Sequence, residues 1–128
     1  MKPGEPYISH AEVDFDIRLD KHADVIVLAL TGRLEGVACH VLQQYLVKVL
    51  ATMVPTLLVV DLEGLSVADP YGRDILMAAD RHARSSGGHM MVTGAGAPSV
   101  LADSTLDERP ALADALTELG RRRGLPPG

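Results

Sequence analysis

Leu57-Leu58-Val59-Val60-Asp61-Leu62-Glu63-Gly64-Leu65-Ser66-Val67-Ala68-Asp69-Pro70-Tyr71-Gly72 is the stretch that decides the fold. Leu57 to Leu62 is almost wholly apolar and short, as a strand buried on both faces should be. Gly64 to Asp69 reads as a connection. Pro70 suits the first turn of a helix, where its missing N–H costs nothing, and Asp69 suits the N-cap before it. Ile75, Leu76, Ala79, His82 and Ala83 continue the apolar face of that helix, and Gly87-Gly88 ends it. The stretch therefore predicts a buried strand that delivers an acidic residue to a helix N-terminus.

Upstream, Val25 to Leu30 is a second continuous apolar run, read as another buried strand. Thr31-Gly32-Arg33-Leu34-Glu35-Gly36 reads as a loop, because two glycines bracket the charged residues. From Val37 the period changes to helical: Val37, Val41, Leu42, Tyr45, Leu46, Val49, Leu50 and Met53 share one face, and Pro55 stops them. Strand, helix, strand predicts a right-handed parallel crossover. Val13 to Leu19 alternates apolar and charged residues, the pattern of a strand with one wet face. It precedes Val25 closely enough, across a turn at Asp20 to Asp24, to form an antiparallel hairpin.

Downstream, Met90 to Thr93 predicts a further inner strand and Gly94 to Pro98 a loop. A short helix is expected at Pro98 to Ala102 and a short strand near Thr105 to Asp107. A last amphipathic helix runs from Pro110 to Leu119, with Ala111, Leu112, Ala115, Leu116 and Leu119 inward. The expected architecture is α/β: a four- to five-stranded mixed sheet with about four helices packed on it. Residues 1–10 read as a flexible lead, 11–120 as the domain, and 121–128 as a loose basic and Pro-Gly tail.

With 128 residues, 47% of them hydrophobic, the chain has the size and composition of one folded domain and argues against disorder. No apolar run reaches the roughly 18 residues of a membrane span, so no membrane insertion is expected. The start carries no apolar signal segment, and Cys39, the one cysteine, cannot form an internal disulfide. A reducing cytoplasm is the expected setting. Twelve basic against 17 acidic residues give a net charge of −5, which disfavours a nucleic-acid partner. Aromatic residues are confined to Tyr7, Phe15, Tyr45 and Tyr71, so stacking platforms for single strands are not expected.

Catalytic and metal chemistry find little support. No phosphate-binding G-x-x-x-x-G-K-[ST] motif is present, and Gly94-Ala95-Gly96 lacks the third glycine of a dinucleotide fingerprint. The five histidines form neither H-x-x-x-H nor H-E-x-x-H. Cys39 reads as ordinary packing or surface, since His40 beside it points elsewhere on the helix. Asp14 and Asp16 read as a solvated strand face, and Arg121 to Arg123 as a solvated helix end. No acid/base or nucleophile constellation appears, so neither enzyme activity nor a cofactor or metal is expected. The more informative feature is the pair of loops after the two buried strands. If those strands are parallel neighbours, both loops emerge at one sheet edge, where α/β sheets tend to bind.

On three stretches the chain resembles the STAS domain family, the fold of anti-sigma factor antagonists. Leu28-Ala29-Leu30-Thr31-Gly32-Arg33-Leu34-Glu35 is similar to the family's strand followed by Gly-Glu/Arg-Leu-Asp. Leu58 to Leu65 is similar to its central strand entering Asp-Leu-Ser-Gly-Val. Asp69-Pro70-Tyr71-Gly72 falls where the family has Asp-Ser-Ser-Gly. The resemblance spans roughly Val13 to Leu119. It implies a partner surface on Arg33, Glu35, Asp69, Pro70, Tyr71, Gly72 and Arg73, facing an anti-sigma factor of the histidine-kinase-like ATPase type. In the family, that ATPase phosphorylates the second serine of Asp-Ser-Ser-Gly. The added charge breaks the contact and so controls release of the sigma factor.

Here the two serines are Pro70 and Tyr71, and Tyr71 stands at the phosphoserine position. A phenol carries its hydroxyl several ångströms further out than a serine does, so the serine switch is expected to be lost while the surface persists. Ser66 suits the strand connection. Tyr71 reads either as an exposed anchor or as a ring covering the core edge. Two alternatives stay open. One is a nucleotide or small-ligand sensor, in which Gly94, Gly96 and the helix start supply N–H groups to an anion. The other is a STAS subunit docking on the ATPase of a lipid-transport ATP-binding cassette system. The expected oligomeric state is a monomer or weak dimer.

Overall fold

The computed structural model describes residues 14–52, 55–94 and 106–124. In chain order these form β1 (Phe15–His22), β2 (Val25–Leu34), α1 (Val37–Thr52), β3 (Leu57–Ala68), α2 (Pro70–Ser85), β4 (His89–Thr93), β5 (Glu108–Arg109) and α3 (Leu112–Gly124). One sheet takes all five strands in the order β1-β2-β3-β4-β5. β1 is antiparallel to β2, and the remaining neighbours are parallel. The mixed sheet expected from the sequence is therefore present. Three helices lie among the described residues. The fourth, expected at Pro98 to Ala102, falls outside them, as does the 1–10 lead.

Alternation along the strands sorts the core into two layers. On one face Phe15, Ile17, Ile26, Leu28, Leu30, Leu58, Val60 and Leu62 pack with Leu42, Leu46, Ile75 and Leu76 of α1 and α2. On the other, Val25, Val27, Val59 and Met91 pack with Ala115 and Leu119 of α3. β2 and β3 are covered on both faces, so they read as unbroken apolar runs. β1 meets the first layer only, so it alternates.

Six sequence expectations need correction. Thr31 to Leu34 is not a loop: β2 continues to Leu34, which is fully buried. Gly64 to Ala68 is not a connection: β3 continues to Ala68. Two register shifts, each with one extra residue on β3, let the ladder run on as Thr31↔Gly64, Gly32↔Leu65 and Leu34↔Ala68. Such bulges bend a strand without ending it, and a glycine beside them imitates a break. The hairpin turn shrinks to Ala23-Asp24, so β1 reaches His22. The last helix does not stop at Gly120 but runs to Gly124, so residues 121–124 belong to α3 and not to a loose tail. Ala111 precedes that helix and is exposed, and His82 is exposed on α2.

The short β5 is held by a small polar cluster. His89 Nε2 lies 2.7 Å from Asp107 Oδ2, and Arg109 pairs with the other oxygen. The Val92 amide donates to the Asp107 carbonyl at 2.9 Å. Burial works to raise the Asp107 pKa, but the bonds from His89 and Arg109 outweigh it and hold the carboxyl below its ordinary value. Asp107→Ala is expected to cost about 1–3 kcal/mol, because two buried-edge donors lose their acceptor. Faster hydrogen exchange confined to the Val92 amide region, with the rest of the sheet unchanged, is the expected readout. Unchanged exchange there would remove the cluster's assigned role.

Candidate functional site

The parallel pairing of β2 and β3 brings their C-terminal ends to one edge of the sheet, and α1 and α2 both start there. Asp69 joins the two starts. Its Oδ1 accepts from the Gly72 amide at 2.9 Å, the N-cap bond of α2. The same oxygen accepts from the Cys39 thiol at 3.4 Å, and Oδ2 faces the Gly36 amide at 3.4 Å. The Asp69 amide itself donates to the Leu34 carbonyl at 3.0 Å. One carboxylate thus satisfies donors at the N-termini of two helices, where free N–H groups favour negative charge.

The charge states follow from these bonds. The Gly72 amide, followed by the Cys39 and Gly36 donors, keeps the Asp69 carboxyl below its ordinary pKa despite partial burial. Burial and then the hydrogen bond to Asp69 push the Cys39 thiol up to about 12. Cys39 is fully buried and stays a neutral thiol, with the character of a core residue and not of a nucleophile. Its role as a donor to Asp69 was not legible from its isolated position in the sequence. A small polar residue early in α1 was the only available signal.

The surface around this knot carries the remaining residues. Arg33 Nε pairs with Glu35 Oε2 at 2.7 Å, with both side chains about half exposed. Glu35 raises the Arg33 pKa, but an exposed pair of this kind contributes little stability. Pro70 is exposed. Gly72 is buried, and a Cβ there would lie 2.7 Å from Leu34 Cδ2, so the glycine lets α2 approach the end of β2. Arg73 Nε is buried with no hydrogen-bond partner among the described residues, and Asp74 Oδ1 lies 3.9 Å away. Tyr71 is 45% exposed. Its ring meets His40 of α1 edge-on, with centroids 6.0 Å apart. Val37, one helical turn before His40, is 56% exposed. Val37, His40, Pro70 and Tyr71 thereby add an apolar and aromatic rim that the sequence reading assigned only at Pro70 and Tyr71.

Ser66 serves the ladder: its hydroxyl donates to the Gly32 carbonyl at 3.2 Å. Gly94 lies just after β4. Its φ is +66°, and a Cβ would lie 2.8 Å from the Glu63 backbone, a close approach that by itself explains the glycine. Gly96 lies outside the described residues. Among the described residues no cluster of His, Cys, Asp or Glu could hold a metal ion.

This sheet order, with helices starting from one shared edge, can be set beside known proteins. The family model described as "Mlab, STAS domain" matches residues 17–120. The chain belongs to the STAS domain family. Among solved structures, an anti-sigma factor antagonist from Mycobacterium paratuberculosis is 25% identical, with a TM-score of 0.70. The match covers 83% of this chain and 94% of that one. The antagonist SpoIIAA in its unphosphorylated form is 18% identical, with a TM-score of 0.69, covering 86% of this chain and all of that one (100%). A variant of RsbS from Moorella thermoacetica is 19% identical, with a TM-score of 0.66, covering 85% and 98%. The last two likenesses show the fold. Among curated proteins there is no significant match. No helix among the described residues of this STAS domain is long and apolar enough to cross a membrane.

Proposed function

We propose that this STAS domain is a protein-interaction module of the anti-sigma factor antagonist kind. It acts in the cytoplasm as a binder and not as an enzyme. It docks a histidine-kinase-like anti-sigma ATPase through the edge formed by Arg33, Glu35, Asp69, Pro70, Tyr71, Gly72 and Arg73, and so releases a sigma factor. The observation that carries this reading is Tyr71: an aromatic ring, half exposed, at the start of α2 on a rim with His40 and Val37. Exposed aromatic residues set among apolar neighbours are the usual anchors of protein contacts. No serine lies between Asp69 and Arg73, and the hydroxyl of Ser66 is engaged by β2. Binding therefore proceeds without serine phosphorylation at this edge.

The test is capture of partners from native lysate by the wild type and by Tyr71→Ala, read by quantitative mass spectrometry, followed by titration calorimetry with the ATPase recovered. Enrichment of a kinase-like ATPase is expected, with affinity falling at least tenfold in Tyr71→Ala, about 1.4 kcal/mol or more. Incubation with that ATPase and ATP is expected to leave the chain's mass unchanged. Equal affinity of the two proteins would sink the anchor assignment. Capture of a transporter ATPase subunit instead would keep the surface and overturn the sigma-factor role.

A further inference from the structure

Among the described residues, β1 forms one edge of the sheet and is paired on one side only, with β2. The Arg33 amide donates to the Asp14 carbonyl at 3.0 Å, and the β1–β2 register is unbroken from Phe15↔Gly32 to His22↔Val25. In an antiparallel ladder, successive residues turn their N–H and C=O groups to opposite edges. The even-numbered residues of β1 therefore bond β2, and Ile17, Leu19 and Lys21 present their backbone groups at the other edge. Leu19 shares the face of Phe15 and Ile17, yet it is 46% exposed where they are 3% and 7%. It lies beyond the cover of the helices.

Charged side chains commonly blunt such an edge. Here Asp16, Arg18 and Asp20 alternate in sign along the other, exposed face of the strand in a way that suits a second copy. A two-fold axis normal to the sheet keeps every side chain on its own face, so paired residues have the same parity. Centred on Arg18, that residue would face its own copy and Asp16 would face Asp20. Centred on Asp20, two carboxylates would meet. Centring on Ile17 opposes Asp16 to Arg18, but pairs only Phe15 to Leu19 and puts the axis at a side chain already in the core. Centred on Leu19, Arg18 faces the partner's Asp20 twice over, Asp16 faces the partner's His22, and the two exposed leucines meet at the axis. Opposite charges directly across a ladder stabilise it, and like charges weaken it.

We infer that β1 is a self-association edge: two copies pair antiparallel through β1 about Leu19 and join their five-stranded sheets into one continuous sheet. The two-fold places the Asp69 edges of the two copies at opposite ends of the joined sheet, so the dimer leaves both free.

Sedimentation of the full chain over a range of concentrations tests this, using wild type, Arg18→Asp, Asp20→Arg and the double exchange. All these side chains are exposed, so the fold is kept, and circular dichroism checks that it is. A concentration-dependent dimer is expected, weakened about tenfold or more by either single change and restored by the exchange. Amide exchange at Ile17, Leu19 and Lys21 is expected to slow as concentration rises, while the Arg18 and Asp20 amides stay protected throughout. A mass that remains monomeric up to millimolar concentration would overturn the inference. So would a dimer indifferent to the single changes, or one that the exchange fails to restore.

Discussion

Gly32→Ala is expected to lower the unfolding free energy by about 3 kcal/mol or more, a large share of the 5–15 kcal/mol that keeps a domain folded. Gly32 sits at φ +98°, and a Cβ built there would lie 2.1 Å from the Asp14 carbonyl oxygen. That oxygen belongs to the backbone and accepts the Arg33 amide at 3.0 Å, so it cannot swing aside as a side chain would. The left-handed conformation costs an alanine about 1–2 kcal/mol, and forced displacement of packed atoms adds about 1–3 more. Gly36 is the control. Its φ is +59°, but nothing lies within 4 Å of its would-be Cβ, so Gly36→Ala carries the conformational cost alone. Urea denaturation of both variants checks the difference. Equal losses would show that the approach of β1 to Gly32 is not the constraint.

Asp69→Ala is expected to cost about 2–3 kcal/mol, more than a single helix cap. Loss of an N-cap side chain alone costs about 1 kcal/mol. Here the same carboxylate also accepts from the Cys39 thiol and faces the Gly36 amide, and a buried donor left without its acceptor adds its own penalty. Asp69→Asn separates the parts. An amide oxygen can still cap Gly72, but its NH2 group cannot accept from Gly36, so about half of the loss should return. The effect also depends on pH with a definite sign. The folded-state pKa of Asp69 lies below the ordinary 3.8. Its ionised form therefore contributes stability in full above that value and loses it as the pH falls through the folded pKa. Thermal midpoints of wild type and Asp69→Asn should converge as the pH falls through that lowered folded-state pKa. A gap that persists there would show that charge is not what Asp69 contributes.

The candidate site was partly legible. Asp69 as N-cap and Pro70 at the first turn are local facts, readable because a helix start needs an acceptor and tolerates a missing N–H. Tyr71 could be placed at the helix start, but whether its ring faced solvent or core could not be read. That depended on α1, whose His40 comes to 6.0 Å from it across some 30 residues of chain. The partnership of Asp69 with Cys39 and Gly36 was hidden for the same reason.

By itself the sequence determined the α/β class, the order of the main elements, the helix starts at Val37 and Pro70, and the apolar content of both core layers. All of these follow from periodicity and capping, which act within a few residues. Only the tertiary structure decided where β2 and β3 end. Gly32 and Gly64 look like breaks until the ladder between the strands absorbs the extra residues of β3 as bulges. It alone decided that Leu19, in the same alternating run as the buried Ile17, stands exposed. Burial depends on how far α1 and α2 reach across the sheet, and no local pattern records that reach.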